Sequence, residues 1–471
     1  MQIKFCGAAR QVTGSSHLIT LDNGFKILLD CGMFQGSYAA DIVSNSQFLF
    51  NPGEIDCVVL SHAHIDHCGR LPKLVKDGYK GPIHATHATR SLATIMLLDS
   101  AHIQEKDTEY FNKKHNHREE EEATAFRDPL YTSKDVDDAM RLFVGYSYDQ
   151  WHKIHDDVRL MFTDAGHILG SASVTLEIRE NGKTTMLGFT GDIGRPNRPI
   201  LRDPQSMPEC DYLICESTYG DRIHESQPNE MERFLRIIKK TCFEKHGKLI
   251  IPAFSVGRTQ EIVYLLDQAN TAHQLPPVKV FVDSPLAINA TAVYGSHPEC
   301  FDNDLHQYML IDNNPFGFNN LTYIRQAEQS KALNNYKEPC IIISSSGMMN
   351  AGRVKHHLFN NVENPRNTFL IVGYCTPDTP GGKLRAGATG LKVFNQYKEV
   401  KADVEIMDSF SAHGDREEMK TFVLNQKSKL KKLFLVHGEY DTQQAWRSYL
   451  RETGFQHIEI PALGESVRLD G

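Results

Sequence analysis

The sequence predicts an α/β protein in which a parallel-sheet segment interrupts a β-rich domain. Three observations predict it. Two hairpin-like units of similar sequence occupy the first part of the chain. Strands alternate with helices from about residue 209 to 390. Short strands return after that. The 471 residues allow two or three globular units, or one interrupted unit.

The first hairpin runs Gly14–Leu21, turns at Asn23-Gly24 and returns through Leu28-Leu29 to Asp30-Cys31-Gly32. The second runs Gly170–Leu176, turns at Asn181-Gly182 and returns through Phe189-Thr190 to Asp192-Ile193-Gly194. Asn-Gly between alternating strands is a strong hairpin signal. Both returning strands end in Asp-x-Gly, which fits a duplicated β-rich half or a chance likeness of two hairpins. Next, Tyr212–Cys215 reads as a strand and Met231, Phe234, Leu235 and Ile238 as a helix face. Strands are expected at Lys248–Ala253, Val278–Asp283, Cys340–Ser344 and Thr368–Val372, with helices at Thr259–Gln268 and Arg353–Asn360. Strands Ala402–Met407 and Lys432–Val436 return the chain to the first domain. The expected division is therefore 1–208, an inserted 209–390, and 391–471. Residues 99–150, with Glu119-Glu120-Glu121-Glu122, read as a charged, solvated helical excursion.

Composition excludes several classes. At 40% hydrophobic and 23% charged, the chain buries a sizeable core. A net charge of −8 argues against a broadly basic nucleic-acid coat but leaves room for a local basic channel. No apolar run approaches the ~20 residues of a membrane span, and Met1–Phe5 reads as a strand rather than a leader. The ten cysteines are scattered without a Cys-x-x-Cys pair. They read as reduced, buried thiols of a cytoplasmic protein.

The strongest chemical signal is Ser61-His62-Ala63-His64-Ile65-Asp66-His67-Cys68-Gly69, directly after the apolar run Cys57–Leu60. His62 and His64, two apart, share one side of an extended segment. Asp66 and His67 turn with the chain into a helix. Three imidazoles and a carboxylate within six residues are good ligands for zinc-like ions. His167, Asp192 and His437 share a context: a ligand-type residue at a strand's end or beside a hairpin, with glycine close by. Together these exceed what one metal needs.

The cluster, with Asp30, His167 and Asp192, resembles the metallo-β-lactamase fold. Cys215-Glu216-Ser217-Thr218-Tyr219-Gly220-Asp221-Arg222, Ser409-Phe410-Ser411-Ala412-His413-Gly414-Asp415 and Val436-His437-Gly438-Glu439 resemble the three further motifs of its β-CASP subfamily. The resemblance implies an αβ/βα sandwich with an inserted parallel-sheet β-CASP domain. It implies a zinc-dependent nuclease of RNA, because His437 stands where the DNA-acting branch usually carries Val. It assigns His62, His64 and His167 to one Zn2+ ion, Asp66, His67 and His437 to a second, and Asp192 as the bridge. Asp30 orients the ligand loop from behind. The catalytic residues are Asp66, His413 as general acid, and Glu216, which holds His413 protonated. Cleavage leaves 5′-phosphate and 3′-hydroxyl ends.

The expected partner is single-stranded RNA threading between the two domains; no membrane is involved, and a homodimer is left open. Small residues at Ser344-Ser345-Ser346-Gly347-Met348 let backbone N–H groups approach a phosphate, or simply make a tight strand-to-helix turn. Ser344, Ser346 and Gly347 are thus candidate substrate contacts. Arg258 clamps a phosphate or pairs with an acidic neighbour. Gly373-Tyr374, Gly381-Gly382 and Lys383 read as a flexible, weakly basic segment. With 34 residues after His437, the chain reads as a minimal bacterial or archaeal-type member. Rival readings are a DNA nuclease, a thioester or lactam hydrolase on the same site, and an inactive scaffold. The last expects lost ligands, whereas all seven ligand positions are filled.

Overall fold

The computed structural model describes residues 1–35, 44–115, 127–224, 229–373, 375–407 and 412–469. Glu119–Glu122, Tyr374 and Ser409-Phe410-Ser411 lie outside the described residues. The chain forms two compact units, one of residues 1–223 with 413–471 and one of residues 224–412.

The first unit holds two seven-stranded sheets. One contains β1 (Gln2–Gly7), β2 (Ser16–Thr20), β3 (Lys26–Leu29), β4 (Cys57–Val59), β5 (Ile83–Thr86) and β6 (Phe143–Tyr146), in spatial order β1 to β6. The other runs β7 (His152–His155), β8 (Val158–Asp164), β9 (Ala172–Glu180), β10 (Lys183–Phe189) and β11 (Tyr212–Cys215). Both predicted hairpins form. β2 pairs antiparallel with β3, His17 opposite Leu29, and β9 with β10, Val174 opposite Phe189. Asn181 and Gly182 have φ of 51° and 77°, the left-handed pair of a type I′ turn.

The sheets pack face to face through alternate residues. Ile27, Leu29 and Val59 meet Phe162, Val174, Leu176, Phe189 and Ile214 in one buried core. The outward residues of β11 and its neighbour, Leu213, Cys215, Leu433 and Leu435, pack instead on Met419, Phe422, Trp446 and Leu450. Those four lie on helices Arg416–Val423 and Tyr440–Glu452. Burial on both faces explains why such strands read as continuous apolar runs.

The second unit is a six-stranded parallel sheet. Its strands are β12 (Lys248–Pro252), β13 (Lys279–Asp283), β14 (Leu321–Tyr323), β15 (Cys340–Ser344), β16 (Thr368–Ile371) and β19 (Asp403–Ile406). Their spatial order is β14-β13-β15-β12-β16-β19. A separate hairpin joins β17 (Gly390–Val393) to β18 (Gln396–Glu399). The remaining strands, β20 (Lys432–Leu435), β21 (Ile458–Glu459) and β22 (Ser466–Arg468), return to the first unit's sheets.

Both expected domain boundaries move. β11, expected to open the insertion, pairs with β10 and β20 inside the first unit. The strand expected to return to the first domain at 402–407 is β19, which pairs with β16 in the second unit. The segment 99–150 also differs. Helix His87–His115 starts earlier, and β6 lies within the stretch read as helical. Gly381 and Gly382, expected in a flexible segment, sit buried in helix Pro380–Arg385, which Thr379 caps. All ten cysteines are buried, and none is in a disulfide. Among the described residues no helix is long and apolar enough to cross a membrane.

Candidate metal centre

The centre is built at the ends of strands. β4 leads through Ser61 into an extended stretch ending at His64, which opens the short helix Ile65–Cys68. His62 and His64 leave the extended part; Asp66 and His67 leave the helix. Each hairpin's Asp-x-Gly then sets one wall. A Cβ on Gly32 would stand 1.6 Å from the Asp66 carbonyl oxygen, and one on Gly194 1.9 Å from that of Gly166. Only glycine lets these loops close on the residues that carry Asp66 and His167.

Two donor sets result. His62 Nε2 lies 3.2 Å from His64 Nδ1, which lies 3.2 Å from His167 Nε2. Asp192 Oδ2 is 3.5 Å from both His62 Nε2 and His167 Nε2. In the other set, His67 Nε2 lies 3.1 Å from His437 Nε2. Asp192 Oδ1 is 3.2 Å from His67 Nε2 and 3.7 Å from His437 Nε2, and Asp66 Oδ2 is 3.5 Å from His437 Nε2. The two oxygens of Asp192 thus face different sets.

These residues fit divalent cations. Ligands at about 2.0–2.1 Å around a tetrahedral zinc stand roughly 3.3 Å apart, close to the spacings here. Ring nitrogens crowd together across both sets. Asp192 Oδ1 is buried and accepts no hydrogen bond from the described residues. Asp30, Asp66 and Asp192 are ion-paired, among the described residues, only with histidines. Burial drives His62 and His167 well below the ordinary imidazole range and His64 down to about 4. That leaves lone pairs available. Burial opposes charge on His67 too, but Asp192 and Asp30 outweigh it and raise that ring. Burial would raise Asp66 and Asp192, yet the surrounding histidines hold both below the usual carboxylate range.

A brace stands behind the donors. Asp30 Oδ2 lies 2.7 Å from His67 Nδ1 and accepts from Ser61 Oγ and Ser15 Oγ, while Oδ1 accepts from the Ser61 N–H. Thr218 Oγ1 lies 3.0 Å from His437 Nδ1. Sequence reasoning missed Ser15, Ser61 and Thr218. Their one signal is adjacency to residues it did single out.

His413 joins the same centre. Its Nδ1 lies 3.3 Å from Glu216 Oε1 and its Nε2 3.9 Å from Asp192 Oδ2. Glu216 is fixed in turn: Oε1 accepts from the Ile193 N–H and Oε2 from the Thr218 N–H. Burial would lower the His413 imidazole, but the Glu216 carboxylate raises it to about 9.

Family models match three segments: the metallo-beta-lactamase superfamily over residues 9–209, the Beta-Casp domain over 259–384, and a Zn-dependent metallo-hydrolase RNA specificity domain over 397–461. A ribonuclease of Thermus thermophilus is 34% identical over 467 residues, covering 99% of this chain and 100% of the relative. The chain belongs to the β-CASP branch of the metallo-β-lactamase superfamily. An RNase J-like protein of Methanocaldococcus jannaschii is 31% identical to this β-CASP protein, over 93% of this chain and 92% of the relative. A transcription termination factor of Methanosarcina mazei is 30% identical, over 93% of this chain and 67% of the relative.

The remaining candidates of this β-CASP protein lie in its second unit. Ser344 ends β15, and its hydroxyl donates to the Asp283 carbonyl at 3.0 Å. Ser346 Oγ donates to Asn350 Oδ1 at 3.0 Å, and Gly347 follows it. Arg258 differs from the phosphate-clamp expectation. It is buried and ion-paired with Glu261 one turn along its helix, so its guanidinium is already engaged.

Proposed function

We propose that this chain is a zinc-dependent ribonuclease that hydrolyses phosphodiester bonds of single-stranded RNA. The observation that carries the reading is Asp192, whose two oxygens serve two separate donor sets. His62, His64 and His167 with Asp192 hold one Zn2+ ion; Asp66, His67 and His437 with Asp192 hold the other. When bound, such a pair acidifies water and neutralises phosphoryl charge.

The chain's own residues do the rest. Hydrolysis adds a water oxygen to phosphorus and breaks the bond to the leaving 3′ oxygen, which then needs a proton. His413 supplies it from Nε2, the nitrogen turned toward Asp192. Glu216 holds the opposite nitrogen and keeps the ring charged at neutral pH. Asp66 is the carboxylate available to take the proton that water loses. Asp30 keeps His67 turned with Nε2 inward. Ser346, the partly exposed member of the serine loop, contacts the RNA backbone, whereas Ser344 and Gly347 are buried and shape the loop instead of touching substrate.

The test is a comparison of substrates. Zinc-loaded protein and an Asp66→Ala control are incubated with single-stranded RNA, matching DNA and a lactam reporter. The expected outcome is cleavage of RNA, lost in the control. Cleavage of the lactam alone, or of DNA alone, overturns the reading.

A further inference from the structure

The second unit presents an aromatic ring where an open α/β sheet receives ligands. From β12 the chain runs through helix Arg258–Thr271 to β13, passing over β15. From β15 it runs through helix Val354–Asn361 to β16, passing the other way over β12. Neighbouring strands whose connections leave in opposite directions open a crevice outside their carboxyl ends. The two loops at that crevice are Phe254–Gly257 and Ser345–Arg353.

Phe254 is 46% exposed there. An apolar ring left in water forgoes the usual gain of burial, and among the described residues it stacks on no other ring. Its place is nonetheless firmly held. The Phe254 carbonyl accepts from the Thr259 N–H at 3.2 Å and from Thr259 Oγ1 at 2.7 Å. The next residue, Ser255, is hydroxyl-bonded to Ser284 Oγ at 3.0 Å, and Ser345 Oγ donates to the same atom at 3.0 Å. One serine thus ties both loops together. Gly347 completes the arrangement. A Cβ there would stand 3.1–3.5 Å from three atoms of the Phe254 ring, so glycine lets the ring lie against the backbone of the serine loop.

We infer that Phe254, backed by Gly347, is a base-stacking shelf for single-stranded RNA. The inference rests on the ribonuclease reading. A nucleobase is the flat, weakly polar part of RNA, and every base offers a π-face, so such a shelf is tolerant of sequence. The neighbouring hydroxyls suit the sugar and phosphate of the same nucleotide.

The test uses the full zinc-loaded chain, with an RNA oligonucleotide and the same oligonucleotide carrying abasic sites. Phe254→Ala is expected to raise KM for the normal RNA about tenfold, to leave kcat within twofold, and to leave KM for the abasic RNA unchanged. Phe254→Tyr is expected to restore the wild-type KM. Phe254→Trp is expected to show fluorescence quenching on binding normal RNA. An unchanged KM in Phe254→Ala, or an equal rise on both substrates, overturns the shelf. Failure of the wild-type chain to cleave RNA overturns the parent reading instead, so the two failures are distinct. Unchanged melting temperature in Phe254→Ala excludes misfolding as the cause.

Discussion

Asp30 and Asp192 close two hairpins of the same design, each followed two residues later by an indispensable glycine, yet they do opposite things. Asp30 is saturated: three hydrogen bonds from serines and a fourth partner in His67 Nδ1. Asp192 is surrounded by ring nitrogens of His62, His67, His167, His413 and His437, and its Oδ1 accepts no hydrogen bond from the described residues. The same local sequence becomes a brace in one half and an open acceptor in the other. Hydrogen-bond saturation, rather than residue type or position, separates the carboxylate that braces a neighbouring imidazole from the one left open to a cation.

The comparison is easiest to break at Asp192. Asp192→Ala leaves both donor sets one ligand short. Metal analysis of the purified variant is expected to show loss from both sites, with RNA cleavage below detection. His413 tests the contrast next: with Asp192 and Glu216 it forms a third cluster of donor atoms, outside the two sets proposed to hold zinc. His413→Ala is expected to retain full metal content while single-turnover cleavage falls about a hundredfold to ten-thousandfold. Loss of metal in that variant contradicts the assignment. Asp30→Asn is milder, since the ligands stay and only their orientation suffers. Metal affinity by competition with a chelator is expected to fall about 10–100-fold.

A third buried carboxylate sharpens the point from the other unit. Asp283 accepts from Arg353 and Ser330 and lies 2.7 Å from His357 Nε2. It is saturated like Asp30, and no ligand set lies beside it among the described residues. Burial would raise its carboxyl, but His357, Ser330 and Arg353 outweigh burial and hold it below the ordinary value. Its stabilising contribution is therefore complete above about pH 4 and is lost as pH falls through its depressed folded value. Asp283→Asn is expected to cost about 3 kcal/mol in denaturant unfolding at neutral pH and to flatten the acid limb of the stability curve. Metal content is expected to stay unchanged.

Much of this centre was legible in the sequence, for a physical reason. Ligands of a shared site need fixed backbone, so they sit at strand ends beside glycines, and His62 to His67 announce themselves by density. The braces were not legible. Ser15, Ser61 and Thr218 are common residue types whose partners lie far along the chain. The domain boundaries failed for a related reason. Tyr212–Cys215 and Asp403–Ile406 are short strands with no mark of which sheet they join, and only pairing with β20 and β16 decides it. For Arg258 the sequence left a phosphate clamp and an acidic partner both open, and the pair with Glu261, one helical turn on, decides for the partner.

The most direct test of the shared carboxylate is metal stoichiometry, by mass spectrometry of the native chain and by elemental analysis. The account predicts two zinc ions per wild-type chain, two in His413→Ala, and none firmly held in Asp192→Ala. One ion per wild-type chain, or one retained in Asp192→Ala, would contradict the claim that Asp192 joins two sites.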